Sequence, residues 1–414
     1  MINYFYDCYT ILNKVYSEKA FVKQAISNTF IEEKNRSLVT KTVYGVLDKD
    51  IQLSYYISKL TDKAPKLAIR TILKIAMFNI KFLQKKQYAV CQNAVELTKK
   101  LGKSGASGFV NAFLRKFSNT EIDLPKNNLD NISVSCSFPK FAVEILINKY
   151  GEQRARQILS HQDTFNTIFF PNNNGEEYLS NINCRFEKTP FENVYNAYGF
   201  IRNQDYDKGE YTFQALGSTA ICDLVEPCQN ILDCCSAPGG KSIKLSYKCD
   251  KVLSWDIHEH RVNLINDYIK RMQRKNITAS VMDSKVYDKK YDSFFDAVLC
   301  DAPCSGLGVT NENPDIKLNR DLDSIINLTK EQLAILNCVS KYVKIGGYLY
   351  YSTCSILDME NIEIIKRFLD ENKNYSICEI SSKLPHENIM GTNQFLPDIS
   401  NGAGFYVAKL KRIK

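Results

Sequence analysis

Asn230-Ile-Leu-Asp-Cys-Cys-Ser-Ala-Pro-Gly-Gly-Lys241, followed after a short gap by Lys251-Val-Leu-Ser-Trp-Asp256, carries the clearest structural signal in this chain. The short run Asn230-Ile-Leu-Asp-Cys234 reads as a buried strand, and Gly239-Gly240 opens a helix behind it. The second run closes on Asp256. Beyond it, Val262, Ile265, Ile269 and Met272 keep helical spacing, with Arg261, Lys270, Arg271 and Arg274 on the polar face. Strand, turn and helix in alternation predict a parallel sheet with helices on both faces. Further strands are expected over residues 279–282, 295–300, 347–351 and 405–410, with helices near 324–343 and 358–371. Residues 211–414 are thus expected to form an α/β Rossmann-like domain.

Upstream the pattern is different. Ile69, Ile72, Leu73, Ala76, Met77 and Ile80 recur at three- and four-residue steps, as do Val39, Val43, Val46 and Leu47. Residues 1–125 are therefore expected to be an all-α domain, closed by a short helix over 109–117 after the glycine and serine cluster of 102–108. Residues 126–210 read as a linker and a small α+β accessory region, in which the helical spacing of Phe141, Ile145 and Leu146 gives way to Asn172-Asn-Asn-Gly175.

Composition narrows the function. The chain has 414 residues, 44% of them hydrophobic and 24% charged, which fits a globular protein of two or three domains. No apolar run reaches the roughly 18 residues of a membrane span, and the amino terminus lacks a basic segment leading into an apolar one. A cytoplasmic location is expected, and with it reduced thiols for the 14 cysteines. No C-x-x-C occurs, and His161, His258, His260 and His386 offer no complementary ligand spacing, so no metal is expected. The net charge of +8 is uneven. Residues 1–125 hold 20 Lys and Arg against 10 Asp and Glu, while the remainder holds 34 against 36. A basic amino-terminal domain favours a polyanionic partner, nucleic acid being the commonest. A monomer is expected.

In a doubly wound sheet the ligand sits at the carboxyl ends of the strands. The loop from Asp233 to Lys241 lies at such an end, and Asp256, about 20 residues after it, stands where an acid holds ribose hydroxyls. The pair predicts an adenosine-containing cofactor, and the loop is neither G-x-G-x-x-G nor a Walker pattern. Cys304, in Asp301-Ala-Pro-Cys304, and Cys354, in Ser352-Thr-Cys354-Ser355, follow later strands on the same edge. A thiolate adds readily to electron-poor carbon, and its addition to a pyrimidine ring would activate the neighbouring carbon.

With Asn313-Pro-Asp-Ile-Lys317, these segments resemble the bacterial 16S rRNA (cytosine-5) methyltransferases of the RsmB type, which use S-adenosylmethionine. The stretch Leu101-Gly-Lys-Ser-Gly-Ala-Ser-Gly-Phe-Val-Asn-Ala-Phe-Leu-Arg-Lys-Phe117 is similar to the end of their NusB-like, RNA-binding domain, and Gly402-Ala-Gly-Phe-Tyr-Val-Ala-Lys-Leu410 fits their ending. The resemblance implies that Cys235, Ser236, Ala237, Pro238, Gly239, Gly240 and Lys241 wrap the methionine end of the cofactor. It places Asp256 on the ribose, Asp283 on the adenine side, and Asp301 between cofactor and target base. Cys354 would be the nucleophile and Cys304 the cysteine that serves adduct release. Arg261 and Lys317 would meet RNA, the partner being a cytosine in a single-stranded or loop region of 16S rRNA. The chain departs from the family pattern at Gln214-Ala215, Phe169-Phe-Pro-Asn172, Asn311-Glu312 and Leu318, positions that bear on RNA contacts more than on chemistry.

Overall fold

The computed structural model describes residues 2–162 and 164–414, which divide into two compact units. The first comprises residues up to Ser160 together with Thr310–Asp321, and the second His161–Val309 with Leu322–Lys414.

The first unit is helical: α1 (Ile2–Glu18), α2 (Val22–Ser27), α3 (Glu33–Asp48), α4 (Asp50–Leu60), α5 (Leu67–Lys81), α6 (Gln87–Lys100), α7 (Ser107–Asn119), α8 (Asn128–Cys136) and α9 (Lys140–Ser160). The expected stripes face inward. Ile69, Ile72, Leu73, Ala76 and Met77 of α5 are buried against Val39, Val43, Val46 and Leu47 of α3 and Phe5, Ile11 and Leu12 of α1. α5 also buries Lys74, whose ammonium lies 2.6 Å from Asp50 Oδ1 and whose basicity is lowered by burial. The segment expected as a linker from residue 126 is instead helical. Asn127 caps α8 by accepting from the Asp130 amide, Ile132, Val134 and Cys136 are buried, and α9 follows as part of this unit.

Residues 310–321 also belong here, although in sequence they interrupt the second unit. Their short helical turn, Ile316–Asn319, packs Leu318 against the core. The Lys317 ammonium donates to Asp48 at Oδ1 (2.6 Å) and at the backbone oxygen (2.8 Å), and Asp315 accepts from the Val22 amide at 3.3 Å.

The second unit opens with the expected α+β region, an antiparallel sheet of β1 (Phe165–Phe169), β2 (Phe186–Lys188), β3 (Val194–Tyr198) and β4 (Thr212–Phe213) in the order β2-β3-β1-β4. A larger sheet follows: β5 (Asn230–Asp233), β6 (Lys251–Asp256), β7 (Ile277–Val281), β8 (Phe295–Asp301), β9 (Val343–Thr353), β10 (Tyr375–Cys378), β11 (Glu387–Ile389), β12 (Thr392–Phe395) and β13 (Phe405–Arg412). Its order is β11-β12-β13-β9-β8-β5-β6-β7, with β10 beside β13. β5 to β9 pair in parallel, while β10 to β13 pair antiparallel, so the sheet is mixed.

Strand alternation sorts the core onto two faces. Ile231, Leu299, Tyr350 and Val407 point to the side covered by helices Leu216–Leu224 and Gly240–Leu245. Their neighbours Leu232, Val298, Tyr351 and Tyr406 point to the side of helices Leu322–Val339 and Ile362–Glu371. β5 pairs with β6 on one side and β8 on the other, which makes the carboxyl ends of β5 and β8 the topological switch point where such sheets bind ligands. Among the described residues, no helix is long and apolar enough to cross a membrane and no His, Cys, Asp and Glu cluster could hold a metal.

Candidate active site

The loop after β5 is tied to the end of β6. The Ser236 amide and hydroxyl both donate to the Trp255 carbonyl, at 2.8 and 3.0 Å, and the Gly239 amide closes a turn onto the Ser236 carbonyl at 2.7 Å. Gly239 has φ +105°, a conformation that strains any residue with a Cβ, and a Cβ there would also stand 3.3 Å from Ile265. At Gly240 a Cβ would meet nothing within 4 Å, so the loop presents its backbone to open space. Asp233 beneath it is fully buried. One carboxylate oxygen accepts from Ser242 at 2.6 Å, Ser242 in turn meeting Ser254 at 2.8 Å, and Oδ1 has no hydrogen-bond partner. Burial raises this carboxyl to about 7.

Asp256 ends β6, also buried. Oδ1 accepts from the His258 amide at 3.2 Å, and Oδ2 lies 3.4 Å from Arg261, whose guanidinium also reaches the Ala237 carbonyl. Asp283 follows β7, half-buried, and accepts from the Lys285 amide at 2.9 Å, while the next residue, Ser284, donates to the Cys234 carbonyl at 2.6 Å. Asp301 ends β8. Lys241 donates to its Oδ2 at 2.6 Å and Ser352, near the end of β9, to its Oδ1 at 2.7 Å. Burial works against the Lys241 ammonium, but Asp301 overrides it and holds the amine above its ordinary range.

The two cysteines selected by sequence meet. Cys304 and Cys354 are half-buried and have sulfurs 3.0 Å apart, and the Cys354 amide points at the Cys304 sulfur from 3.3 Å. Pairing with Cys354, then burial, pushes the Cys304 thiol well above the usual range. The loops that carry them approach closely at Gly308, whose amide donates to the Cys354 carbonyl at 2.9 Å and whose carbonyl accepts from Gly404 at 2.7 Å. A Cβ on Gly308 would fall 2.0 Å from the Gly404 oxygen, so only glycine fits.

The strand ends thus bring together the loop from Cys235 to Lys241 with Asp256, Asp283, Asp301, Cys304 and Cys354. The two residues expected at RNA differ in their surroundings. Arg261 is engaged with Asp256 and the Ala237 carbonyl on the cofactor edge. Lys317 is a correction: its side chain is 2% exposed and its ammonium is held by Asp48, so it serves the core of the helical unit. Cys234, at the end of β5, packs in the core.

Sequence reasoning missed Glu360. It lies six residues past Cys354, is fully buried, and accepts hydrogen bonds from Ser305 and Ser355, the residues immediately after the two cysteines. One signal was present: Glu360 continues, in steps of four, the buried stripe of Phe368 and Ile364, where an acid is out of place unless it is bonded.

A family model described as 16S rRNA methyltransferase RsmB/F matches residues 223–411, and one described as the NusB family matches residues 6–119. The chain is 28% identical to a probable ribosomal RNA small subunit methyltransferase B of Bacillus subtilis, over 97% of this chain and 95% of that protein. It is 27% identical to a ribosomal RNA small subunit methyltransferase B of Photorhabdus laumondii, over 92% of each. Among solved structures it is similar in fold to PH0851, with a TM-score of 0.84 at 20% identity over 99% of this chain and 98% of that one. It is also similar to NSun6 from Pyrococcus horikoshii with SFG, with a TM-score of 0.59 at 19% identity over 67% of this chain and 99% of that one.

Proposed function

We propose that the chain, which matches the RsmB/F family of 16S rRNA methyltransferases over residues 223–411 and the NusB family over residues 6–119, is a member of the RsmB/F family and methylates carbon-5 of a cytosine in 16S rRNA through a covalent adduct with Cys354. The observation that carries this reading is the meeting of the Cys304 and Cys354 sulfurs, 3.0 Å apart, with Asp301 and the glycine loop on one sheet edge.

The residues fit S-adenosylmethionine. The loop backbone faces open space at Gly240, and the buried Asp256 takes one amide and a 3.4 Å arginine contact, which leaves it acceptor capacity for ribose hydroxyls. Cys235, Ser236, Ala237, Pro238, Gly239, Gly240 and Lys241 would hold the methionine end, Asp256 the ribose and Asp283 the adenine side. Bound there, S-adenosylmethionine supplies an electrophilic methyl group to carbon-5.

Cys354 supplies the nucleophile. Its thiolate bonds to carbon-6 of the cytosine, the carbon-5 to carbon-6 double bond opens, and its electron pair becomes available at carbon-5. After methylation the carbon-5 proton leaves as a base takes it, the double bond re-forms and the carbon–sulfur bond breaks. Cys304, held as a thiol beside the departing sulfur, serves that release. Asp301, fixed by Lys241 and Ser352, hydrogen bonds the cytosine edge and answers charge that grows on the ring as sulfur adds. The target must leave its stack to reach the thiol, which costs a few kcal/mol in a duplex and least in a single-stranded loop. The basic helical unit grips RNA phosphates, and the single chain supplies every group named, so it acts as a monomer in the cytoplasm.

Incubating the protein with labelled S-adenosylmethionine and protein-free 16S rRNA, then digesting and identifying the methylated nucleoside by mass spectrometry, tests this. The expected product is 5-methylcytosine, absent with Cys354→Ala, whose cofactor binding stays intact. Turnover by Cys354→Ala near the wild-type rate would exclude Cys354 as the nucleophile.

A further inference from the structure

Glu360 sits in the turn Asp358–Glu360, between the end of β9 and helix Ile362–Glu371. Its carboxylate is fully buried, and burying a charge is expensive unless bonds replace the lost water. Four neutral donors do so. Oε1 accepts from the Ser305 amide at 2.6 Å and the Gln332 side-chain amide at 3.2 Å, while Oε2 accepts from the hydroxyls of Ser305, at 2.6 Å, and Ser355. Ser305 follows Cys304 and Ser355 follows Cys354, so one side chain clasps two loops that lie 50 residues apart in sequence. The clasp is itself fixed. The Glu360 carbonyl accepts from the Tyr351 hydroxyl at 2.6 Å, and Asn361 donates to the Ser355 carbonyl at 3.0 Å and accepts from Thr353 at 2.6 Å.

We propose that Glu360 is a positioning residue for the methyl-transfer reaction: by binding Ser305 and Ser355 at once, it sets the separation and aim of the Cys304 and Cys354 sulfurs. Its carboxylate reaches the two cysteine loops through the hydrogen bonds it accepts from Ser305 and Ser355. Glu360 acquires this role in catalysis only if Cys354 is the nucleophile, as proposed above. The expected effect is large, because a misplacement of about 1 Å at a reacting group costs roughly 100-fold in rate.

Two readouts test it. In the first, Glu360→Ala should lower kcat by about 100-fold while KM for RNA and cofactor affinity stay within about twofold, and Glu360→Gln, which keeps the shape and the acceptor for the Ser305 amide, should recover most of the loss. In the second, the folded proteins are treated with diamide, which takes up the two electrons and two protons released when a thiol pair becomes a disulfide. Peptide mass spectrometry then gives the rate of Cys304–Cys354 linkage relative to Cys228–Cys249, a second pair with sulfurs 3.5 Å apart that Glu360 does not contact. That ratio should fall about tenfold in Glu360→Ala. Should Glu360→Ala fail to fold, Ser305→Ala combined with Ser355→Ala removes the two hydroxyl links and should lower both kcat and the ratio. A kcat within twofold of wild type, or an unchanged linkage ratio, in these variants overturns the proposal. An active Cys354→Ala would instead overturn the nucleophile assignment, and the linkage ratio would still report whether Glu360 spaces the sulfurs.

Discussion

Lys317→Met should unfold the helical unit more easily without weakening RNA binding. The Lys317 side chain is 2% exposed and its ammonium is 2.6 Å from Asp48 Oδ1, a contact that ordinarily marks a buried ion pair. Burial draws the Lys317 amine below its usual value in spite of Asp48, while Asp48, against its own burial, is held below the carboxylate range by Lys317 and Lys49. Breaking such a pair costs about 3–5 kcal/mol because the remaining charge stays buried. Which partner is removed should matter. Without Lys317, Asp48 keeps Lys49 at 2.9 Å and is 23% exposed, which puts Lys317→Met near the low end, about 3 kcal/mol. Asp48→Ala leaves the Lys317 ammonium with a backbone carbonyl and the face of the Phe138 ring but no carboxylate, and belongs nearer 5 kcal/mol. The double variant should cost no more than the worse single, since no charge is left stranded. Urea titration followed by circular dichroism at 222 nm should show the Lys317→Met midpoint about 1–2 M lower, from the typical urea slope for small proteins. Trp255, the single tryptophan, lies in the other unit and gives a separate optical signal. Filter binding below the transition should give wild-type RNA affinity. A midpoint within 0.3 M of wild type (roughly half a kcal/mol) together with tenfold weaker RNA binding would return Lys317 to the RNA surface.

Three further outcomes are expected. Cys304→Ala should still form the covalent complex with RNA but release it slowly, so a protein–RNA band should accumulate on denaturing gels; its absence, with normal turnover, would remove Cys304 from the release step. Asp301→Asn should lower kcat about 100-fold, or roughly 2.7 kcal/mol, by removing the charge that Lys241 fixes in place, and an effect under threefold would contradict that role. For Asp233, burial raises the folded value to about 7 from 3.8, so the folded state is favoured while the group is protonated. That stability is complete below about pH 4 and lost as pH rises through 7, so Asp233→Asn should flatten the melting profile across that window; a variant profile parallel to wild type would rule the linkage out.

Much of the α/β unit was legible because its strands are short, buried and bounded by glycine or acid. The expected 230–234, 251–256 and 295–300 segments fall on β5, β6 and β8 within a residue. β10 to β12 escaped notice, since Tyr375–Cys378 and Thr392–Phe395 are only four residues long, Glu387–Ile389 has one apolar residue in three, and all pair with β13 or with one another. The expected linker hid α8 for a similar reason: its start depends on one Asn127 cap in a polar stretch. At the site, the loop from Asp233 to Lys241, Asp256, Cys304 and Cys354 stood out by their places after strands, and the structure brings them to one sheet edge. Glu360 did not stand out, because its meaning lies in Ser305, 55 residues away, and Lys317 was misread because Asp48, 269 residues away, claims its charge.

The insertion of residues 310–321 into the helical unit has a temporal meaning. A ribosome making the chain completes α9 and then synthesises about 150 further residues, including β1 to β8, before the stretch bearing Asp315 and Lys317 exists. At bacterial and eukaryotic elongation rates of roughly 5–20 residues per second, that interval is on the order of 10–30 s. Through it Asp48 keeps Lys49 but lacks Lys317, and the Val22 amide lacks its acceptor. The domain that emerges first is therefore not finished until four of the nine strands of the larger sheet, β5 to β8, have been synthesised. A fragment ending anywhere before residue 321 should behave as a less stable protein than its helix content suggests.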